Sequence, residues 1–188
     1  MNTSADPDLP SRPRIDLKNK NKIRQKNANK ICFKPAHQHD LPQIAKVYMR
    51  AYKGMEEYGE PSLKKAYIYL RQLLRICPIS FFKAEINGKI AGCVACDPFY
   101  KDENELEVME LHEIVVDPAW QGYGLGKKLF RLAQEIGIRM GRQKMSLWAG
   151  EGNEQAIDWY TEKFGFVQKY TEGKWIHFCK ELNASGFV

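Results

Sequence analysis

The sequence predicts one α/β domain of about seven strands and about four helices, preceded by a basic arm. Four segments place apolar residues at helical spacing, and Asn87-Gly88 separates two apolar runs, the strongest short-range signal of a β-hairpin. A third signal runs from Glu105 to Phe130, where a strand is followed by closely spaced glycines and a helix. At 188 residues and 44% hydrophobic content, the chain suits one well-buried domain and is short for two.

The first half of the predicted domain begins with a strand at 30–35 and two helices. Asp40, followed by Leu-Pro, predicts a helix N-cap with proline in the first turn, and the apolar spacing continues to about Tyr52. Ser62 stands at the N-cap position of a second helix, which we expect to end near Arg75.

The predicted hairpin joins strands at 79–86 and 89–95. Its second strand carries Cys93 and Cys96, a C-x-x-C spacing that also occurs in zinc sites. Residues three apart on a strand point to opposite faces, and no second pair completes a site. We therefore interpret both cysteines as core residues and expect no metal.

The strand before the glycine-rich loop has two faces if its side chains alternate regularly. One face would carry Leu106, Val108, Glu110, His112, Ile114 and Val116. The other would carry Glu105, Glu107, Met109, Leu111, Glu113 and Val115. Glu110 and His112 interrupt an otherwise apolar row, and a buried ionisable group indicates either chemistry or a structural polar network.

The second half continues with a helix at 124–140, a strand at 145–149 and a helix that Gly165 ends. Strands at 166–170 and 175–182 form a final antiparallel pair.

The loop Gln121–Gly126 is suited to an anion. Glycines allow positive φ and close approach of a ligand, and the unpaired N–H groups at a helix N-terminus attract phosphate. A Walker loop requires a glycine where Gln121 stands and Ser or Thr where Lys128 stands, so that site is excluded. The spacing also differs from the G-x-G-x-x-G of dinucleotide-binding folds.

The remaining pattern, Q-x-x-G-x-G after a strand ending in Val-Val-Asp-Pro, closely resembles the GNAT superfamily of acyl-CoA-dependent N-acyltransferases. A second match is the segment 153–166, which resembles the family's N-x-x-A-I-x-x-Y segment ending in Gly-Phe. The resemblance spans about 31–182 in element order and is specific from about Leu111 to Phe166. It implies a single-domain fold with a mixed, mostly antiparallel sheet flanked by helices.

The resemblance also implies acetyl-CoA as co-substrate, an amine as acceptor, and a set of coenzyme-binding residues. That set is Ile114, Val115, Val116, Gln121, Gly122, Tyr123, Gly124, Leu125, Gly126, Lys127 and Asn153. Lys127 or Lys128 would neutralise phosphate charge, and N–H groups of residues 114–116 would stabilise the oxyanion.

Three residues are the catalytic candidates. An amine with a pKa near 10 must lose a proton before it attacks a thioester, so a base is needed. The family often places its base in this strand, and two histidines of arylalkylamine N-acetyltransferases align with Glu110 and His112; the choice between these two stays open. By resemblance, Tyr160 would protonate the departing thiolate. No covalent enzyme intermediate is needed, although a cysteine nucleophile is a further alternative.

Charge and cysteine content limit which partners and which location the sequence predicts. Of the net charge of +6, the first 30 residues carry +5 (eight Lys or Arg against three Asp), which leaves +1 for 31–188. We expect 1–30 to be a flexible arm, and the nearly neutral domain disfavours a nucleic-acid partner. No apolar run is long enough to span a membrane. Five scattered cysteines and no apolar leader predict a cytoplasmic protein.

Several alternatives stay open. A coenzyme A-binding regulatory module without catalysis would keep the loop, and a nucleic-acid-associated protein would use the basic arm. Acceptor identity, acyl chain length and a homodimer are not decided by the sequence.

Overall fold

The computed structural model describes residues 30–182, which form seven strands and four α-helices. The strands are β1 Ile31–Pro35, β2 Phe81–Ile86, β3 Lys89–Lys101, β4 Glu107–Val116, β5 Lys144–Gly150, β6 Val167–Glu172 and β7 Trp175–Glu181. The helices are α1 Leu41–Ala51, α2 Leu63–Ile76, α3 Leu125–Arg139 and α4 Glu154–Phe164. The predicted arm lies outside the described residues, apart from Lys30.

All seven strands join one sheet in the order β1-β2-β3-β4-β5-β7-β6. Only β4 and β5 are parallel neighbours, because α3 connects them; the other pairs are antiparallel. The α/β class and the mostly antiparallel sheet are therefore confirmed. None of the helices within 30–182 is long and apolar enough to cross a membrane.

The sheet separates two apolar layers. One contains the inner stripes of α3 and α4, including Leu129 and Phe130, packed on residues from β2 to β5 and β7. The other contains α1 and α2, including Ile44 and Leu70, packed on β2, β3 and β4. Residues of β5, β6 and β7 do not enter this second layer, so none of the helices within 30–182 packs its apolar stripe on that face of this half of the sheet.

Local chemistry explains the predicted boundaries. Asn87 and Gly88 both take positive φ, as a two-residue hairpin turn requires. Ser62 Oγ accepts the Lys65 N–H at 3.3 Å and so caps α2. Asp40 precedes α1 as expected, but its carboxylate does not cap the helix. It binds the buried Lys83 at 2.5 Å instead.

The two cysteines of the C-x-x-C spacing are core residues, as predicted. Cys93 and Cys96 are fully buried in opposite layers, and all five cysteines are free. The described part of the chain contains no cluster of three or more His, Cys, Asp or Glu that could hold a metal ion.

Two expectations about strands were wrong. β3 continues to Lys101 instead of ending at Ala95. The regular alternation predicted for β4 also fails, because Ala95 pairs with Glu113 whereas Cys96 pairs with Leu111. His112 is therefore the extra residue of a β-bulge.

The bulge redistributes the two faces of β4. Met109 and Leu111 share the α3 layer with Ile114 and Val116, although the sequence placed these two pairs on opposite faces. Val115 belongs to the α1–α2 layer. Glu110, before the bulge, and Glu113, after it, consequently lie on the same side of the sheet.

Candidate active site

A gap opens between the two parallel strands. Pairing of β4 with β5 runs from Met109–Met145 to Leu111–Leu147 and then stops, while both strands continue. The N–H and C=O groups of β4 that face β5 beyond this point have no ladder partner there. The gap is therefore a place where an extended ligand can meet strand-like backbone groups.

A cavity of about 550 Å³ lies beside the end of this pairing. It is lined by Tyr69 of α2, Glu110, Leu111 and His112 of β4, Trp148 of β5, and Glu172, Gly173 and Trp175 at the β6–β7 turn. Glu110 and His112, two of the predicted catalytic candidates, thus contribute to the same cavity.

Glu110 is 2% exposed and forms no ion pair with Lys or Arg in the part of the chain that the structure describes. Its carboxylate accepts a hydrogen bond from the Ser146 hydroxyl on β5. Burial, with a smaller contribution from the charge of Asp97, raises the pKa of Glu110 to about 7, against the opposing effect of Ser146. A carboxyl group with this pKa can accept and release a proton near neutral pH.

His112 has a different environment. Its Nε2 is buried without a hydrogen-bond partner in the described structure, and its ring meets Tyr100 edge-on at 6.1 Å. Burial lowers the pKa of His112, so the ring is neutral at pH 7. The Tyr69 hydroxyl donates to its backbone carbonyl at 3.3 Å, which connects the bulge to α2.

The glycine-rich loop precedes α3. Gly122 and Gly124 have φ of +76° and +78°, and a Cβ at either position would meet nothing within 4 Å. Gln121 folds back, and its Nε2 donates to the Val116 carbonyl at 3.1 Å. Tyr123 is 62% exposed, and its ring lies 6.3 Å from that of Trp120.

Three cations stand in the first two turns of α3: Lys127, Lys128 and Arg131 are exposed and form no ion pair within 30–182. Of the other predicted loop residues, Leu125 is buried in the core, and Gly126 lies near Trp159. The helix N-terminus thus presents open space and uncompensated positive charge.

The backbone donors of β4 alternate in direction. The Asp117 N–H bonds to Ala91 of β3, so the Val115 N–H points toward β3, whereas those of Ile114 and Val116 point toward the gap. The Ile114 N–H donates to Glu113 Oε1 at 3.1 Å.

Sequence reasoning missed Glu113. It is 6% exposed, accepts a hydrogen bond from the Tyr52 hydroxyl at 3.1 Å, and also interacts with the Tyr69 hydroxyl. Burial raises the pKa of Glu113 to about 7. Regular alternation of the β4 side chains would place Glu113 on the face opposite Glu110, and this expectation concealed it. Its partner Tyr52 lies 61 positions away in the sequence.

Tyr160 and Asn153 belong to the region of α4. Tyr160 packs on Phe130, Trp159 and Phe166, and its hydroxyl has no hydrogen bond within 30–182. Burial and the charge of Glu113 raise its pKa, and Tyr160 does not line the cavity that holds Glu110. Asn153 caps α4, since its side chain accepts the Ala156 N–H at 3.2 Å.

Comparison with solved structures places the fold among acetyltransferases. The crystal structure of PH1933 from Pyrococcus horikoshii is 32% identical, has a TM-score of 0.73, and aligns over 82% of this chain and 99% of that one. The PaiA N-acetyltransferase of Thermoplasma acidophilum, solved in complex with coenzyme A, is 18% identical with a TM-score of 0.68 over 81% of this chain and 99% of its own. At that identity the likeness concerns the fold alone.

Sequence relatives agree. An uncharacterized N-acetyltransferase of Methanocaldococcus jannaschii is 35% identical over 76% of this chain, which spans only 63% of that relative's length. Another from Archaeoglobus fulgidus is 32% identical over 68% of this chain and 88% of its own. The family model for the acetyltransferase (GNAT) family matches residues 41–166. The chain therefore belongs to the GNAT family of acetyltransferases.

Proposed function

We propose that the protein transfers an acetyl group from acetyl-CoA to a primary amine by direct attack, with Glu110 as the base. The observation that carries this proposal is the position of Glu110. It is a buried carboxyl with no cationic partner within 30–182, with a pKa of about 7, in the wall of an open cavity at the β4–β5 gap. Glu113, the other buried carboxyl with a pKa of about 7, does not line this cavity.

The loop fits the pyrophosphate of coenzyme A. Space in front of Gly122 and Gly124, the N-terminus of the 15-residue α3 and the unpaired Lys127 and Lys128 all favour an anion. Bound acetyl-CoA supplies an activated thioester. Val116 and Ile114 have gap-facing N–H groups to stabilise negative charge on the acyl oxygen, although Glu113 must first release that of Ile114.

Proton removal falls to Glu110 in preference to His112. With a pKa of about 7, the ionised form of Glu110 is populated near neutral pH and can accept the proton of an ammonium, directly or through water. His112 is a neutral ring whose lowered pKa makes it the weaker base. Its buried, unpartnered Nε2 supports a contact to the acceptor instead.

Tyr160 is the candidate acid. Its raised pKa keeps the hydroxyl protonated, and a thiol with a pKa near 8.5 is a stronger acid than this phenol. Tyr160 therefore acts first by donating a hydrogen bond to the departing sulfur. Protonation of Glu113 would lower the Tyr160 pKa and bring full proton transfer nearer.

Buried cysteines do not favour a covalent route. Burial raises the pKa of Cys77 to about 12 and raises those of Cys93 and Cys96 as well. A nucleophilic cysteine needs a lowered pKa.

The test is release of free thiol from acetyl-CoA with a panel of amines and peptides, with the acetyl-CoA dissociation constant measured in parallel. Tyr160→Phe should lower kcat at least about tenfold and keep coenzyme affinity. Tyr67→Phe is the matched control, because the Tyr67 hydroxyl is also unbonded within 30–182 but lies on α2. Glu110→Gln should abolish turnover, and His112→Ala should reduce it less.

Binding of acetyl-CoA without thiol release for any acceptor would favour the inactive regulatory module. Absence of binding would refute the proposed site. Equal loss of binding and turnover in Tyr160→Phe would assign that residue a structural role.

A further inference from the structure

We propose that the acceptor is a cationic amine that carries no carboxylate next to its reacting nitrogen. This inference rests on the proposed function, since it names the amine class for the same cavity. It follows from the charge and the aromatic content of the cavity wall.

The wall carries uncompensated negative charge. Glu110 and Glu172 both line the cavity, and neither forms an ion pair with Lys or Arg within 30–182. Glu172 is exposed, and its carboxylate accepts no hydrogen bond within 30–182. The cavity has no Lys or Arg in its wall, and its one histidine, His112, is neutral at pH 7. A positively charged ligand supplies the missing counter-charge.

The wall is also aromatic. Tyr69, Trp148 and Trp175 line the cavity, and aromatic faces attract ammonium groups. One ring already holds a cation, because Lys174 Nζ lies 5.4 Å from the centroid of Trp175. That ammonium is fixed by a 2.6 Å hydrogen bond to the Glu57 carbonyl, so it belongs to the chain's own structure.

The same features disfavour an acceptor with a carboxylate beside the amine. Such a group would enter a space whose wall contains two carboxyl groups and no Lys or Arg. Like-charge contact discriminates strongly between otherwise equal ligands. Amino acids should therefore be poor substrates compared with the amines that lack their carboxylate.

The size of the cavity sets the scale of the ligand. A volume of about 550 Å³ lies within the range of small-molecule sites. The same amine chemistry can also come from the first residue of a peptide with neutral neighbours. Assays with small amines and with such a peptide distinguish the two sources of the amine.

The experiment uses amine and amino-acid pairs that have one reactive amine and differ only by the carboxylate beside it: histamine and histidine, tyramine and tyrosine, phenylethylamine and phenylalanine. Thiol release from acetyl-CoA gives kcat/KM for each. Tryptophan fluorescence with coenzyme A bound gives the affinity without requiring turnover. A peptide with N-terminal alanine and neutral neighbours forms a separate arm.

We expect each amine to exceed its amino acid at least about tenfold in kcat/KM or affinity. Glu172→Gln should reduce the ratio between the amine and amino-acid values at least about threefold and leave acetyl-CoA affinity unchanged. The control is Glu135→Gln, which removes a half-buried glutamate on α3 outside the cavity wall and should leave the difference between amine and amino acid unchanged. Preference for the peptide over the small amines would assign the same chemistry to a protein terminus.

Equal values within the pairs, or a preference for the amino acids, would overturn the inference while leaving the acetyltransferase proposal intact. Identical behaviour of Glu172→Gln and Glu135→Gln would do the same. Failure of acetyl-CoA to bind would instead refute the proposed function, so the two failures are distinguishable.

Discussion

Replacing Ser146 with alanine tests whether Glu110 is the base. The Ser146 hydroxyl is the one hydrogen-bond donor to this carboxylate within the described residues, and it favours the ionised form. A hydrogen bond to a charged group contributes about 1.5–3 kcal/mol, and 1.36 kcal/mol corresponds to one pKa unit. Ser146→Ala should therefore raise the Glu110 pKa by about one to two units.

The effect appears in the pH dependence of kcat/KM. Only ionised Glu110 accepts a proton, so wild-type activity should be lost as pH falls through about 7. In Ser146→Ala the loss should occur at higher pH, with activity at pH 7 reduced at least about fivefold and a similar plateau in alkali. Acetyl-CoA affinity should not change.

Ser146→Thr keeps a hydroxyl and serves as the control, with a profile near wild type. Superimposable profiles for Ser146→Ala and wild type would refute the assignment. If His112 were the base, the inflection would lie below 6.5, because burial lowers its pKa, and Ser146 would not move it.

Three further predictions address the loop, the second carboxyl and the core. Gly124→Val should weaken acetyl-CoA binding at least about tenfold. Gly141→Val is the control and should not weaken it, because Gly141 has nearly the same φ and equally open surroundings but lies at the end of α3. Equal binding by both variants would contradict the role of the loop. Glu113 has a folded-state pKa above its ordinary value, so its contribution to stability is present below pH 4.5 and is lost as pH rises through about 7. Urea unfolding from pH 5 to 8 should show wild type losing up to about 3 kcal/mol more than Glu113→Gln, and parallel curves would contradict the buried ionisation. Gly92→Ala should destabilise by about 1–3 kcal/mol in the same assay, because its Cβ would lie 2.6 Å from the Val115 carbonyl, and unchanged stability would show that β3 and β4 can separate there.

Local signals predicted most of the fold. Asn87-Gly88 determines its own turn through φ, and Ser62 caps α2 through a contact three residues away, so both are readable in short windows. The prediction of an anion-binding loop is equally local, since Gln121–Gly126 needs only the adjacent strand and helix.

The candidate site depends on contacts between residues that are too far apart in the sequence to appear together in one short segment. Ser146 reaches Glu110 across 36 positions, and Tyr52 reaches Glu113 across 61. The sequence identified Glu110 because it interrupted an apolar row. It could not identify Glu113, because the side of the sheet on which Glu113 lies depends on the bulge at His112 and on the packing of α1 and α2 against the sheet.

That unpaired residue constrains how this strand can change in evolution or design. Substitution at a β4 position alters one side chain, but pairing His112 into a regular ladder would turn every residue from Glu113 to Val116 over. The Glu113 carboxylate would then enter the apolar layer beneath α3, and Ile114 and Val116 would leave it. The facing of the second half of β4 therefore depends on His112 staying outside the ladder, and a change that favours regular pairing at this position should be far less tolerated than a substitution elsewhere in the strand.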